Sequence, residues 1–162
     1  MDQMPYLRVD IANQSINWIE RGEVLRAWPV STAKNGVGEQ RGSEQTPRGW
    51  HVVRARIGQG QPIDAVFRAR RPTGEVYGPV LESEYPGRDW ILTRILWLGG
   101  LEPGFNRYGL VDTARRYIYI HGSPDQGVTG KPLSHGCIRM KSPDMLDLFE
   151  RVPAGMRLYV AS

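Results

Sequence analysis

The sequence predicts a mainly β protein. Nineteen glycines and twelve prolines in 162 residues exceed the turn-former content of an ordinary globular chain. Short alternations of apolar and polar residues recur at 6–11, 15–19 and 24–30, with Asn13-Gln14 and Arg21-Gly22 between them. Only the stretch from Ser142 to Val152 carries the apolar spacing of a helix.

Taken in order, the three alternating runs form a meander of antiparallel strands joined by tight turns. Residues 31–49 are polar and glycine-rich and read as a loop, and 49–55 is the next strand. From Gly58 to Asp89 periodicity is weak, and the pattern supports one short strand near 65–69. A loop of that length inside a compact domain is usually a functional wall or lid. This excursion is therefore expected to pack over the Cys137 side and narrow it. The apolar run 90–98 fits a buried strand or a short helix, which periodicity does not separate, and Gly99-Gly100 ends it. Tyr117-Ile118-Tyr119-Ile120 is β-branched and aromatic, a strand that delivers His121 at its end. Residues 137–140 form another strand. Ser142 suits an N-cap and Pro143 the first helical position. Met145, Leu148, Phe149 and Val152 then share one apolar face. Pro153-Ala154-Gly155 stops this one short C-terminal helix, and 156–160 is a closing strand.

No repeat or linker divides the chain, which reads as one domain, 1–162. Its formal net charge is +4, carried by scattered arginines. The densest basic run, Phe67-Arg68-Ala69-Arg70-Arg71, lacks the surroundings of a nucleic-acid motif and reads as a solvated loop. No nucleic-acid partner is expected, whereas a mildly basic surface suits a substrate with carboxylates. No apolar run approaches membrane-spanning length, so no membrane partner is expected either. A single cysteine excludes an intrachain disulfide, and the amino terminus has acidic Asp2 where a signal peptide would be basic. Both features predict a cytoplasmic protein; the alternative is a periplasmic one from which an export signal has been trimmed. The pattern specifies no oligomeric state.

The chemistry concentrates between His121 and Met140, which hold two of the three histidines and the only cysteine. Taken alone, Cys137 reads as a small buried apolar residue. With imidazoles close in sequence it becomes a candidate nucleophile, because an imidazole can take the thiol proton and stabilise the thiolate. A thiol that reacts quickly near neutral pH is the expected consequence. The backbone amides of His135, Gly136 and Cys137 lie in a turn where they suit an oxyanion hole, and Gly136 allows close approach of the backbone. His121, His135 and Cys137 also suit three zinc positions. No fourth ligand sits at a familiar spacing, so neither metal nor cofactor is expected.

Ser134-His135-Gly136-Cys137-Ile138-Arg139, preceded by Ile120-His121-Gly122, resembles the signature of the L,D-transpeptidase catalytic domains, also called YkuD domains. Pro29-Val30-Ser31-Thr32 and Thr46-Pro47-Arg48-Gly49 resemble the family's amino-terminal half, and the last helix and strand agree with its end. The resemblance is weakest between 58 and 108. It implies a β-sandwich-like catalytic domain whose cysteine performs acyl transfer on peptidoglycan stem tetrapeptides, at the bond between the diamino acid and D-Ala. By position, the resemblance makes Cys137 the nucleophile and His121 the general base. Gly122 then orients His121 through its carbonyl, and His135 and Gly136 serve the oxyanion. Arg139, with Ser134 beside it, is expected to order the site or meet a substrate carboxylate; the alternative for Arg139 is a structural pair with Asp144. Arg94, Arg115 and Arg116 lie between the excursion and His121, placed to hold the terminal carboxylate of a free tetrapeptide. Crosslinking members of the family usually carry an export signal, and cytoplasmic members hydrolyse recycled tetrapeptides. The expectation is therefore an L,D-carboxypeptidase of peptidoglycan recycling. The alternatives are a crosslinking or D-amino-acid-exchanging transpeptidase and a non-catalytic wall-peptide binding module. The last would have no need of a thiol beside a base.

Overall fold

The computed structural model describes residues 4–162; Asp2, used in reading the amino terminus, lies outside the described residues. The alternating runs become β1 (Tyr6–Asp10), β2 (Ser15–Glu20) and β3 (Glu23–Pro29), an antiparallel meander. Leu7, Val9 and Ile16 are buried from it, while Val24 and Leu25 stay exposed on β3. After a polar loop comes β4 (Gly49–Ile57).

The excursion is more ordered than its sequence suggests. The strand near 65–69 is β5 (Ala65–Arg68), but it turns directly into β6 (Arg71–Val76), and α1 (Pro79–Glu84) follows. The turn is Ala69-Arg70, with Ala69 at φ 53°. Glycine or asparagine usually takes that conformation, so no turn residue announces the hairpin. Pro72 and Gly74 within β6 further disguise it as loop.

β7 (Ile91–Gly100) resolves the apolar run as a strand, with only Ile91 and Trp97 not fully buried. It pairs with β4, with β5 and with β8 (Tyr119–Ser123). Burial on both faces removes the alternation that marks a half-exposed strand. β9 (Ile138–Lys141) lies parallel to β8. α2 (Ser142–Arg151) follows at once, and β10 (Arg157–Ala161) inserts between β1 and β4. The ten strands make one continuous curled sheet. The expected mainly β class holds, and Met145, Leu148, Phe149 and Val152 of the helical segment join the principal core.

The helix starts one residue differently from its sequence reading. Lys141 occupies the cap position and Ser142 is the first helical residue. The Ser142 hydroxyl does not cap; it donates to Asp64 (2.5 Å) and accepts from Thr93 (2.8 Å). Those bonds tie the excursion to the helix start.

His51 shows how tightly the sheet closes. Its side chain is fully buried, with Nδ1 3.0 Å from the Gly49 carbonyl and Nε2 3.0 Å from the Thr113 hydroxyl. A carbonyl only accepts, so Nδ1 carries the hydrogen and Nε2 accepts from Thr113. Burial pushes the imidazole down to about 4. Between pH 6.5 and 4 the unfolded chain takes up a proton that the folded chain refuses. Stability from this residue is therefore complete above pH 6.5 and falls as pH drops, by roughly 3 kcal/mol in all. His51→Gln should flatten that part of the acid slope. Urea unfolding of both proteins between pH 7 and 4 checks this; parallel losses in the two would contradict it.

Candidate active site

The site is set by the register of two parallel strands. Ile120 lies opposite Ile138 and His121 opposite Arg139. Cys137 directly precedes β9 and sits beside Tyr119, whose backbone N–H donates to Sγ at 3.3 Å. Side chains alternate along a strand. Tyr119, His121, Cys137 and Arg139 therefore share one face, while Ile120, Ile138 and Met140 enter the principal core. His121 is in the middle of its strand and not at its end. Tyr117, expected to begin that strand, has φ 56° and lies outside it.

His121 is 2% exposed. Its Nδ1 lies 2.7 Å from the Gly122 carbonyl, so Nδ1 carries the hydrogen and Nε2 is the basic nitrogen. Burial lowers its proton affinity below that of an ordinary histidine. The imidazole is accordingly neutral at pH 7. Gly122 is required for packing as well as for this bond, because a Cβ there would run into the Leu92 carbonyl oxygen. Gly122→Ala should destabilise the protein by about 1–3 kcal/mol, as overpacking does. It should also depress turnover per folded molecule. Thermal unfolding and kinetics on the folded fraction check this, and an unperturbed variant would contradict it.

Cys137 is half-buried and packs beside Ala65, Phe67, Ile95 and Tyr119. Its S–H points to the Tyr117 carbonyl at 3.5 Å. Both hydrogen bonds of Sγ among the described residues thus go to backbone, and neither goes to an imidazole. Burial pushes the thiol up to about 11, against smaller downward pulls from the Tyr119 N–H, Arg139 and Arg116. This corrects the expectation of a ready-made thiolate. At rest both groups are neutral.

The turn before Cys137 is held from inside. The buried Ser134 hydroxyl donates to the Cys137 carbonyl (2.6 Å) and accepts the Gly136 N–H (3.2 Å). The Gly136 carbonyl accepts from Thr46 (2.9 Å). Gly136 has φ 132°, where a side chain would be strained. Ser134 therefore braces the loop, and the Gly136 amide is committed to it. Arg139 finds its partner in Asp89 at 2.9 Å and not in Asp144. The other Asp89 oxygen lies 3.3 Å from Nδ1 of the exposed His135. Burial raises the Asp89 carboxyl, but Arg139 and the neighbouring imidazoles outweigh it and hold it below the usual carboxylate range. Asp89 was not a sequence candidate. It closes the unpatterned excursion, and its only signal was a carboxylate just ahead of β7.

The family model for YkuD, the L,D-transpeptidase catalytic domain, matches residues 4–160. The chain belongs to the YkuD family. It is 24% identical over 160 residues to a Bacillus licheniformis protein bearing the name L,D-transpeptidase YkuD, covering 98% of this chain and 67% of that one. It is 30% identical over 105 residues to one from Escherichia coli bearing the name L,D-transpeptidase YbiS, covering 63% of this chain and 33% of that one. Among solved structures, the L,D-transpeptidase of Xylanimonas cellulosilytica superposes with a TM-score of 0.58 at 19% identity, covering 99% of this chain and 62% of that one. That of Mycobacterium smegmatis gives 0.56 at 20% identity, covering 98% and 58%. At such identities the likeness shows a shared fold. The chain spans from about a third to about two thirds of these relatives' length.

Within this YkuD domain the three predicted arginines do not form one clamp. Arg94 is buried toward α2, 5.5 Å from the Phe149 ring centre, and donates to the Thr93 carbonyl. Arg116 holds the 38–45 loop through the carbonyls of Gly38 (3.2 Å) and Gln45 (2.6 Å). Arg115 is exposed. Two clefts meet at His135. One of about 230 Å³ is lined by Arg88, Asp89, Ser123 and Arg139. The other, about 260 Å³, is lined by Arg41, Glu44, Arg115, Arg116 and Tyr117.

The excursion packs against the Cys137 side from two directions. Its end supplies Asp89. Its hairpin supplies Phe67, packed with Tyr119 and Cys137, and Arg70, which donates to the Tyr119 hydroxyl at 2.8 Å. The Arg70 guanidinium also lies 4.7 Å from the Trp97 ring centre and 5.0 Å from that of Tyr117. The basic run is thus not simply a solvated loop.

Proposed function

We propose that this YkuD domain is a cysteine acyl-transfer enzyme that cuts a peptidoglycan stem tetrapeptide between its diamino acid and D-Ala, with water resolving the acyl-enzyme. The observation that carries the reading is an imidazole with Nε2 left basic by the Nδ1–Gly122 bond, on the same sheet face as the half-buried Cys137. In the first step Sγ attacks the scissile carbonyl carbon while its proton passes to Nε2 of His121. The amides of His135 and Cys137 meet the oxyanion. Collapse breaks the C–N bond, and His121 returns the proton to the departing D-Ala amine. A water then attacks acyl-Cys137, giving its proton to His121, and the thiol leaves with that proton. Arg139 exchanges Asp89 for a substrate carboxylate, to which its planar fork is suited.

Hydrolysis is the reading we favour: the excursion borders the site through Phe67, Arg70 and Asp89, which supports a site with more room for water than for a bulky amine. This is the chemistry of a cytoplasmic L,D-carboxypeptidase in peptidoglycan recycling. The second cleft beside His135 favours a second reading, transpeptidation or D-amino-acid exchange, since it has room for an amine acceptor. Incubation with a disaccharide-tetrapeptide, read by mass spectrometry, separates the two. Loss of D-Ala alone is the expected result. An added stem peptide or an exchanged D-amino acid means transfer. No change with any stem peptide, at any pH, would overturn acyl transfer and favour a binding module.

A further inference from the structure

A cleft of about 430 Å³ opens between β4, the end of β7 and the segment 107–115. Neither His121 nor Cys137 lines it, yet Arg115 belongs both to it and to the cleft beside His135. Its floor is Gly99. A Cβ there would make only ordinary contact, 3.8 Å from Val52, so packing does not require the glycine; its lack of a side chain leaves the cleft open.

Arg54, Arg107 and Arg115 line the cleft. Arg54 lies 4.6 Å from the Trp97 ring centre and Arg107 4.7 Å from that of Tyr108, so aromatic faces support two of them. None of the three forms an ion pair among the described residues. The acid in the lining, Asp112, accepts the N–H groups of Tyr108 (2.6 Å) and Arg115 (3.0 Å); burial raises its carboxyl, but these bonds and the charge of the Arg115 guanidinium hold it below the usual carboxylate range. Three arginines around a cavity too large for one small ion, one of them shared with the cleft beside His135, call for a chain bearing several planar anionic groups.

We propose that this cleft is a subsite for the free carboxylates of the peptide substrate that lie away from the scissile bond. The choice of a peptide rests on the acyl-transfer reading; the anionic chemistry does not. A stem peptide offers several carboxylates along one strand, and anchoring them here fixes the direction in which the scissile bond reaches Cys137. Binding energy spent at this distance lowers KM and leaves the chemical step to His121 and Cys137.

Two measurements test the subsite. The first is calorimetric titration with triglutamate, and separately with tripolyphosphate, of the wild type, Arg54→Gln/Arg107→Gln and Gly99→Val. Triglutamate should bind at least about fivefold more weakly to both variants. Equal binding to all three proteins overturns the subsite, and tripolyphosphate bound more tightly than triglutamate through the same arginines overturns the carboxylate assignment. This titration needs no turnover, so it reads the cleft even if no stem peptide is cut. The second is steady-state kinetics on a tetrapeptide and on its amide with the remote carboxylates blocked. The double variant should raise KM for the free acid about tenfold, a difference that vanishes with the amide. A rise of the same size with both substrates would show a merely structural role and overturn the proposal.

Discussion

Cys137→Ala should lower turnover of a stem tetrapeptide by roughly 10⁴-fold or more, because it removes the atom proposed to form the covalent intermediate. Cys137→Ser should do nearly as much, since a hydroxyl in the same half-buried place is a far weaker acid than the thiol. Neither change should unfold the protein. The sulfur sits at the margin of a small cluster and makes two long hydrogen bonds, to Tyr119 N–H and the Tyr117 carbonyl. Losing them costs on the order of 1 kcal/mol. Activity and thermal unfolding measured on the same preparations separate the two effects. A folded Cys137→Ala protein with wild-type turnover would remove Cys137 from the chemistry.

His121→Gln should cost about 10²–10⁴-fold, the range for a lost general base. Its pH dependence is more diagnostic than its size. The active imidazole is neutral, and burial lowers its proton affinity. Wild-type kcat/KM should therefore stay level from pH 9 down past 6.5 and fall only in more acidic solution. The sign follows because protonation removes the base. In His121→Gln this acid limb should disappear, and the residual rate should climb with pH as the thiol ionises toward about 11. Alkylation of wild-type Cys137 at pH 7 should be slower than that of a free cysteine. Fast alkylation at neutral pH that slows in His121→Gln would mean that the two groups form an ion pair at rest, contrary to the backbone bonds of Sγ.

The sequence made the chemistry easier to read than the architecture around it. The 121–140 stretch gathers histidine, cysteine and glycine within a short span, and the parallel register of β8 and β9 is what places them on one face. The amino-terminal meander was legible because one face of each strand is buried and the other is wet. β7 was ambiguous because both of its faces are buried, which erases the alternation. β6 is hidden in the sequence because its turn uses Ala69 in a glycine-like conformation, and α1 because it is only six residues long. The direction of long polar side chains was the least readable feature. Arg94 follows Thr93, which has φ 74° at an irregularity in the β7–β8 pairing, and its side chain goes to the helix. Arg139 is joined to Asp89 across fifty residues, a contact that no local pattern specifies.

The acyl-enzyme itself is the most direct test. A stem tetrapeptide mixed with the protein and quenched in acid within the first turnovers should leave a mass increase equal to the acyl portion after loss of D-Ala. Proteolysis should map it to the peptide carrying Cys137, and hydroxylamine should remove it, as expected of a thioester. Cys137→Ala should show no such increase. Steady turnover with no adduct on Cys137 at any quench time, or the same adduct in Cys137→Ala, would contradict the account.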